Sequence, residues 1–178
     1  MGEHGQGLWL PVSGSELSVE RIEHARSIGI GIVEWDQIPG SDFHFINTEQ
    51  VFEHLIDPLE TIRHLARGLR PGGLLMISVP DGRGMASRLG KLAGLARIER
   101  QSIMPVQPLE HVNCFDDRSL AALGKMAGLA KIRPGLRMLY NGSSGWLDAR
   151  QGLKNLLRPI YRHIYPKSTF VYLTRAAE

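Results

Sequence analysis

The sequence predicts an α/β fold in which a mostly parallel sheet is flanked by helices. Three observations support this. Short apolar runs alternate with amphipathic helical stretches, the pattern of strands covered by helices. Leu74 to Val79 (LLMISV) is a continuous apolar run, which suits a strand buried on both faces. Asp57, Pro58 and Glu60 then mark a well-defined helix start: a cap, a residue with φ already helical, and a capping-box partner. With 178 residues, 43% of them hydrophobic and 22% charged, the chain can bury one sizeable core and is read as a single domain over residues 1–178.

The elements follow in order. Ser18 caps a helix over 19–28, where Ile22, Ala25 and Ile28 share a face and Gly29 ends the run. Ile30 to Val33 is a short β-branched strand, and Phe43 to Asn47 (FHFIN) a second. On the helix after Asp57, Leu59, Ile62, Leu65, Ala66 and Leu69 form one apolar stripe, ended by Pro71-Gly72-Gly73 before LLMISV. Asp116 caps a later helix carrying Leu120, Leu123 and Ala127 and stopped by Gly128. Ser168 to Thr174 (STFVYLT) reads as a closing strand.

Composition excludes several function classes. A net charge of +3 is too mild to argue for nucleic acid. The single Cys114 excludes an intramolecular disulfide framework and fits a reducing cytosol. No apolar run approaches the ~20 residues of a membrane span, and MGEHGQGLWLP lacks a basic region followed by an apolar one, so a cytoplasmic protein is expected. His4, His24, His44, His64 and His163 lack metal-ligand spacing to Cys or carboxylates, and no metal site is expected. Arg150, Lys154, Arg158 and Arg162 lie opposite Leu153, Leu157, Ile160 and Ile164. That stripe is either the solvated face of a surface helix or a contact for a membrane or a phosphate-bearing substrate.

Three collinear stretches resemble class I S-adenosylmethionine-dependent methyltransferases. Gly14 to Ile30 (GSELSVERIEHARSIGI) is similar to that family's second strand, its acidic end and the next helix. Phe45 to Asp81 (FINTEQVFEHLIDPLETIRHLARGLRPGGLLMISVPD) is similar to the fourth strand, following helix and fifth strand. Pro108 to Leu129 (PLEHVNCFDDRSLAALGKMAGL) is similar to a late loop and helix of many small-molecule methyltransferases. The resemblance implies a Rossmann-like fold, S-adenosylmethionine as cofactor and a small-molecule methyl acceptor as partner.

It also implies site residues, each with a plainer alternative. Glu16 falls where an acidic side chain accepts both ribose hydroxyls of the cofactor; a solvated carboxylate near a helix start fits equally simple chemistry. Asp36 falls at the adenine edge, or is a turn residue of the WDQIPG loop. Trp35 or Ile38 would wall the adenine ring or belong to the core. Asn47, Thr48 and Glu49 end the fourth strand of the family pattern, where the methionine portion and reacting methyl lie. Glu53-His54 and Glu110-His111 match two Glu-His pairs of the family. His54 is either a packing or a pocket residue, Glu53 either local structure or a contact, and His111 is the leading candidate for a general base, with Glu49 beside the reacting methyl.

The family pattern begins with a strand and a glycine-rich turn. Here Gly5 and Gly7 match two glycines of that turn, and only Leu8 to Ser13 lie before Gly14, where a helix of ~12 residues is expected. The first strand and first helix are therefore expected to be largely missing. That strand is central in the family sheet, so its place would be taken by Leu8 to Val12, by a partner chain such as a second copy, or by residues of a longer protein. Two functions follow: a methyltransferase, or a methyltransferase-like domain that binds without turnover. A nicotinamide-dependent domain shares the acidic ribose contact but not the Glu-His and Pro-Gly-Gly stretches.

Overall fold

The computed structural model describes residues 11–83, 85, 89–90, 110–135 and 168–176. The described residues form two sheets. Strands β1 (Ser13–Gly14) and β2 (Gly31–Ile32) pair in parallel, joined by helix α1 (Val19–Ser27). The second sheet has the order β3-β4-β6-β5, from β3 (Phe43–Glu49), β4 (Leu69–Pro80), β5 (Leu129–Ile132) and β6 (Ser168–Arg175). Helices α2 (Pro58–Gly68) and α3 (Asp117–Met126) accompany it. β3 and β4 are parallel, and β6 is antiparallel to both β4 and β5. Three of these strands thus share one direction and β6 alone is reversed, which gives this sheet one parallel and two antiparallel pairings among the described residues.

The helix starts are local chemistry. Asp57 Oδ1 accepts from the Glu60 N–H at 2.9 Å, and Asp116 Oδ1 from the Ser119 N–H at 2.8 Å, each satisfying a donor the helix leaves open. Ser18 Oγ accepts more weakly from the Arg21 N–H at 3.5 Å. The apolar face expected on α1 does not enter a core: no residue of α1 is buried, and Ile28 beyond its end is 60% exposed.

The end of α2 departs from expectation. The helix stops at Gly68, and Leu69, assigned above to its apolar stripe, is the first residue of β4. Pro71-Gly72-Gly73 lies inside that strand as an irregularity, between the Phe43–Leu69 and Phe45–Leu74 pairs, with Gly72 at φ +74°. Close approach explains the boundary. A Cβ on residue 68 would sit 2.5 Å from the Ile38 carbonyl oxygen, so only glycine lets the helix end against that loop.

The core lies between α2, α3 and the four-stranded sheet. Phe52, Ile62, Leu75, Ile77, Val79, Leu120, Val171 and Leu173 are fully buried, each contributing about 1.5–3 kcal/mol of burial. Gly124 lets α3 lie directly on β6, where a Cβ would meet Leu173 Cδ2 at 2.6 Å. Among the described residues no strand pairs with the other edge of β3. Val12 does not fill that gap, because its carbonyl accepts from the Gly31 N–H at 3.2 Å and so belongs to the β1–β2 ladder. No described helix is long and apolar enough to cross a membrane.

Candidate functional site

Ligands of open α/β sheets gather beyond the carboxyl ends of parallel strands. The Ser13–Gly31 and Gly14–Ile32 pairing brings the ends of β1 and β2 side by side, so Glu16 and Asp36 follow neighbouring strand ends. Glu16 Oε1 accepts from the Leu17 N–H at 2.7 Å and the Ser18 N–H at 3.0 Å, and Oε2 accepts from Arg21 Nη1 at 3.3 Å. The Ser18 and Leu17 N–H bonds, then Arg21, hold its carboxyl below the usual range. Glu16 is therefore an ionised acceptor at the head of α1. Asp36 is exposed in the single 3-10 turn Trp35–Gln37.

Both candidates for an apolar wall are engaged by α2. Ile38 is a core residue at 6% exposure, the second of the two readings open to it from the sequence. Trp35 stacks on His64 with ring centroids 4.1 Å apart, and its carbonyl lies 2.7 Å from His64 Nε2. Gly40 N–H also donates to the Arg67 carbonyl at 3.2 Å. The loop after β2 is thus fastened to α2.

Along β3 the alternation of a strand places Phe45, Asn47 and Glu49 on an exposed face. Thr48 is half-buried, and its hydroxyl donates to the Met76 carbonyl of β4 at 3.3 Å. The chain then turns sharply: Gln50 has φ +54°, a left-handed conformation held by its N–H donating to the Ser78 carbonyl at 2.9 Å. That turn delivers the 3-10 segment Phe52–His54, anchored by the fully buried Phe52.

Here the two Glu-His pairs meet. His54 Nδ1 lies 2.6 Å from the Glu110 carbonyl. A carbonyl only accepts, so Nδ1 carries the proton and Nε2 of the neutral ring is left as an acceptor. The His54 and His111 rings meet edge to face at 4.8 Å. Glu53 is 2% exposed, with Oε1 3.9 Å from His54 Nε2, while its Oε2 is buried without a hydrogen-bond partner among the described residues. Donor atoms of Glu53, His54 and His111 all lie within 4.8 Å of one another. Asn113 clasps the assembly: its N–H donates to the Glu53 carbonyl at 3.0 Å, and Nδ2 to the Leu55 carbonyl at 2.5 Å and the Phe52 carbonyl at 3.4 Å.

The family described as a methyltransferase domain matches residues 3–133. This chain belongs to that family. The methyltransferase domain is of the class I S-adenosylmethionine-dependent type, whose methyl donor is S-adenosylmethionine. Its fold is similar to an S-adenosylmethionine-dependent methyltransferase from Mesorhizobium loti, at 16% identity and a TM-score of 0.56 over 92% of this chain and 80% of that one. It is also similar to the plantazolicin methyltransferase BpumL, solved with a triazolic desmethylPZN analogue and SAH (13%, 0.54, 93% and 67%). The cyclase SpnF is similar as well (16%, 0.53, 95% and 67%). Comparison with curated proteins gives no match.

Two further groups of the methyltransferase domain flank the Glu-His assembly. Asp81, at the exit of β4, accepts from Arg83 Nε at 2.9 Å and from Thr169 Oγ1 at 2.8 Å. Burial opposes its ionisation, but those bonds outweigh it and hold the carboxyl below its usual value. Burial, with Asp81 and Asp116 adding, pushes the Cys114 thiol up and away from nucleophile chemistry. The Gly82 N–H donates to the Phe115 carbonyl at 2.9 Å, tying the β4 exit to the loop bearing His111. Sequence reasoning gave Asn113 and Asp81 no role. Asn113 lies inside the quoted PLEHVNCFDD stretch, but its partners lie some sixty positions away. Gly5, Gly7 and the basic stripe from Arg150 to Arg162 lie outside the described residues.

Proposed function

We propose that this domain transfers the sulfonium methyl of S-adenosylmethionine to a small-molecule acceptor in the cytoplasm, residues 1–178 acting as one domain. The observation that carries this reading is the meeting of Glu53-His54 with Glu110-His111 beyond the end of β3. The donor residues present fit the cofactor: Glu16 is charged and exposed enough to accept two ribose hydroxyls, and Asp36 stands at the adjoining strand end. Asn47 and Glu49 face outward at the carboxyl end of β3, where the methionine portion would lie. The cofactor supplies an activated methyl group on a sulfonium that leaves as a neutral thioether. The chain's own residues would hold the acceptor in line with that methyl, and His111 would take the proton released by the attacking atom.

Affinity for the cofactor is expected to be weak. Only six residues separate Gly7 from Gly14, and among the described residues no strand joins the β1–β2 pair to the free side of β3. Losing two or three backbone contacts of a glycine-rich turn, each near ~1 kcal/mol, weakens binding by about 100-fold. Calorimetry with S-adenosylmethionine, its demethylated product and a nicotinamide cofactor tests this reading. Binding of the first two alone is expected, and preference for the nicotinamide would overturn it. A low-micromolar or tighter constant would refute the expected weakness. The edge of β3 left unpaired among the described residues favours a second reading, a methyltransferase-like module that binds without turnover; cofactor binding with no methyl transfer to any acceptor identifies it.

A further inference from the structure

We propose that Glu53, His54 and His111 form a binding site for a divalent cation of the zinc type. Three donors of compatible chemistry converge: two imidazoles and one carboxylate, all within 4.8 Å of one another. Two independent features point to a ligand. The first is Glu53 Oε2, on a side chain 2–3% exposed, with no hydrogen-bond partner among the described residues. A buried carboxylate oxygen is costly unless paired or coordinated, and the other oxygen lies 3.9 Å from His54 Nε2. The second is the tautomer of His54. Metal-bound histidines characteristically donate their second ring N–H to a carbonyl or carboxylate, which fixes the ring and leaves the other nitrogen to the metal. His54 Nδ1 makes that bond to the Glu110 carbonyl, and Nε2 faces the Glu53 carboxylate.

The geometry needs a modest contraction. Bonds of about 2.0–2.2 Å in a tetrahedral shell put donors about 3.3 Å apart, so side-chain rotations must draw the three together. His111 stands on the loop that Asn113 clasps, so a bound cation would pin this loop to the turn after β3 from a second point. Three protein ligands leave a fourth position for water or for an oxygen of a bound molecule. A cation held by His111 would occupy the nitrogen that the proposed function needs as a base, so the loaded site and that base role exclude each other; metal binding is read out without methyl transfer, and it departs from the sequence expectation of no metal site.

The untagged full chain, stripped with chelator, is titrated with zinc by calorimetry and with cobalt(II) as a visible probe. One tight equivalent is expected, with a cobalt ligand-field spectrum showing nitrogen and oxygen ligands. His111→Ala, His54→Ala and the near-isosteric Glu53→Gln should each weaken zinc binding by roughly 100-fold or more, above the loss of a merely orienting partner. His64→Ala, at the separate Trp35 stack, should keep it. Circular dichroism of each variant separates ligand loss from unfolding, and His111→Ala, altered in a loop, is the variant to weigh if the others unfold. No tight zinc equivalent in the unaltered chain would overturn the proposal, as would one that survives His111→Ala in a folded variant.

Discussion

Replacing Asn113 with alanine tests whether the loop bearing His111 is held by a side-chain amide. Alanine removes both Nδ2 bonds but keeps the backbone N–H donating to the Glu53 carbonyl. The two losses are unequal. The Phe52 carbonyl still accepts from the Leu55 N–H at 3.3 Å, whereas the Leu55 carbonyl loses its 2.5 Å partner. One net hydrogen bond plus a partly desolvated carbonyl amounts to about 1–2 kcal/mol. At about 2–4 °C per kcal/mol for a chain of this size, the melting temperature should fall by roughly 2–8 °C. Asn113→Asp sharpens the test, because it keeps the shape but turns the donor into an acceptor facing two carbonyls. The expected stability order is the unaltered chain, then Asn113→Ala, then Asn113→Asp, read from urea midpoints and thermal melts at neutral pH. An Asn113→Asp variant as stable as the unaltered chain would show that the amide does not donate here.

Ile77 is fully buried between Thr48 of β3 and Val171 of β6, so Ile77→Asp should prevent folding by burying an unpaired charge; a soluble variant with native circular dichroism and an unchanged melting temperature would displace this strand from the core. Glu16→Gln should weaken S-adenosylmethionine affinity by about 10- to 100-fold while hardly changing the melting temperature of the free chain, since α1 buries no side chain; equal affinity in calorimetry would remove Glu16 from the ribose site. Glu16, Glu20, Asp81 and Asp116 all have folded values below their ordinary ones of 4.5, 4.5, 3.8 and 3.8, so their contribution is complete at neutral pH and is lost as pH falls below about 4; a urea midpoint as high at pH 3 as at pH 7 would contradict those bonds. Amide hydrogens of α1 should exchange faster than those of β4 and β6, because α1 buries no side chain; equal protection would mean that something covers this helix.

What was legible in the sequence is what local chemistry decides. The Asp57 and Asp116 caps, the apolar face of α2 and the burial of LLMISV each depend on residues within a few positions, and all appear in place. The start of β4 was misread because Leu69 fits the helical period, whereas the boundary is set by the approach of Gly68 to Ile38, thirty positions earlier. The fate of Ile38 and Trp35 was open for the same reason: only the docking of their loop on α2 assigns them. Likewise the Glu-His pairs were visible as pairs, but His54 and Glu110 are 56 positions apart, and no spacing rule announces that they touch. The unpartnered Glu53 oxygen is further still from sequence, since a buried acid and a solvated one are spelled alike.

The two halves of the candidate site are held in different ways. The Glu-His half is anchored by Phe52 in the core, by a left-handed Gln50 locked to β4, and by Asn113 across the loop. The half bearing Glu16 rests on a two-residue strand pair and a helix without a buried side chain, and it reaches the core through Val33, Ile38 and the loop fastened to α2. Ordering chain costs about 1–2 kcal/mol per residue in backbone entropy, so a segment with few buried contacts opens at lower free energy than the sheet. A ligand that needs Glu16 and Asp36 in place must then supply part of that ordering from its own contacts. In the proposed reading, affinity for the adenosine end of the cofactor is therefore set by how firmly residues 13–38 are held. The chemistry beyond β3 is set separately, by groups the core already fixes.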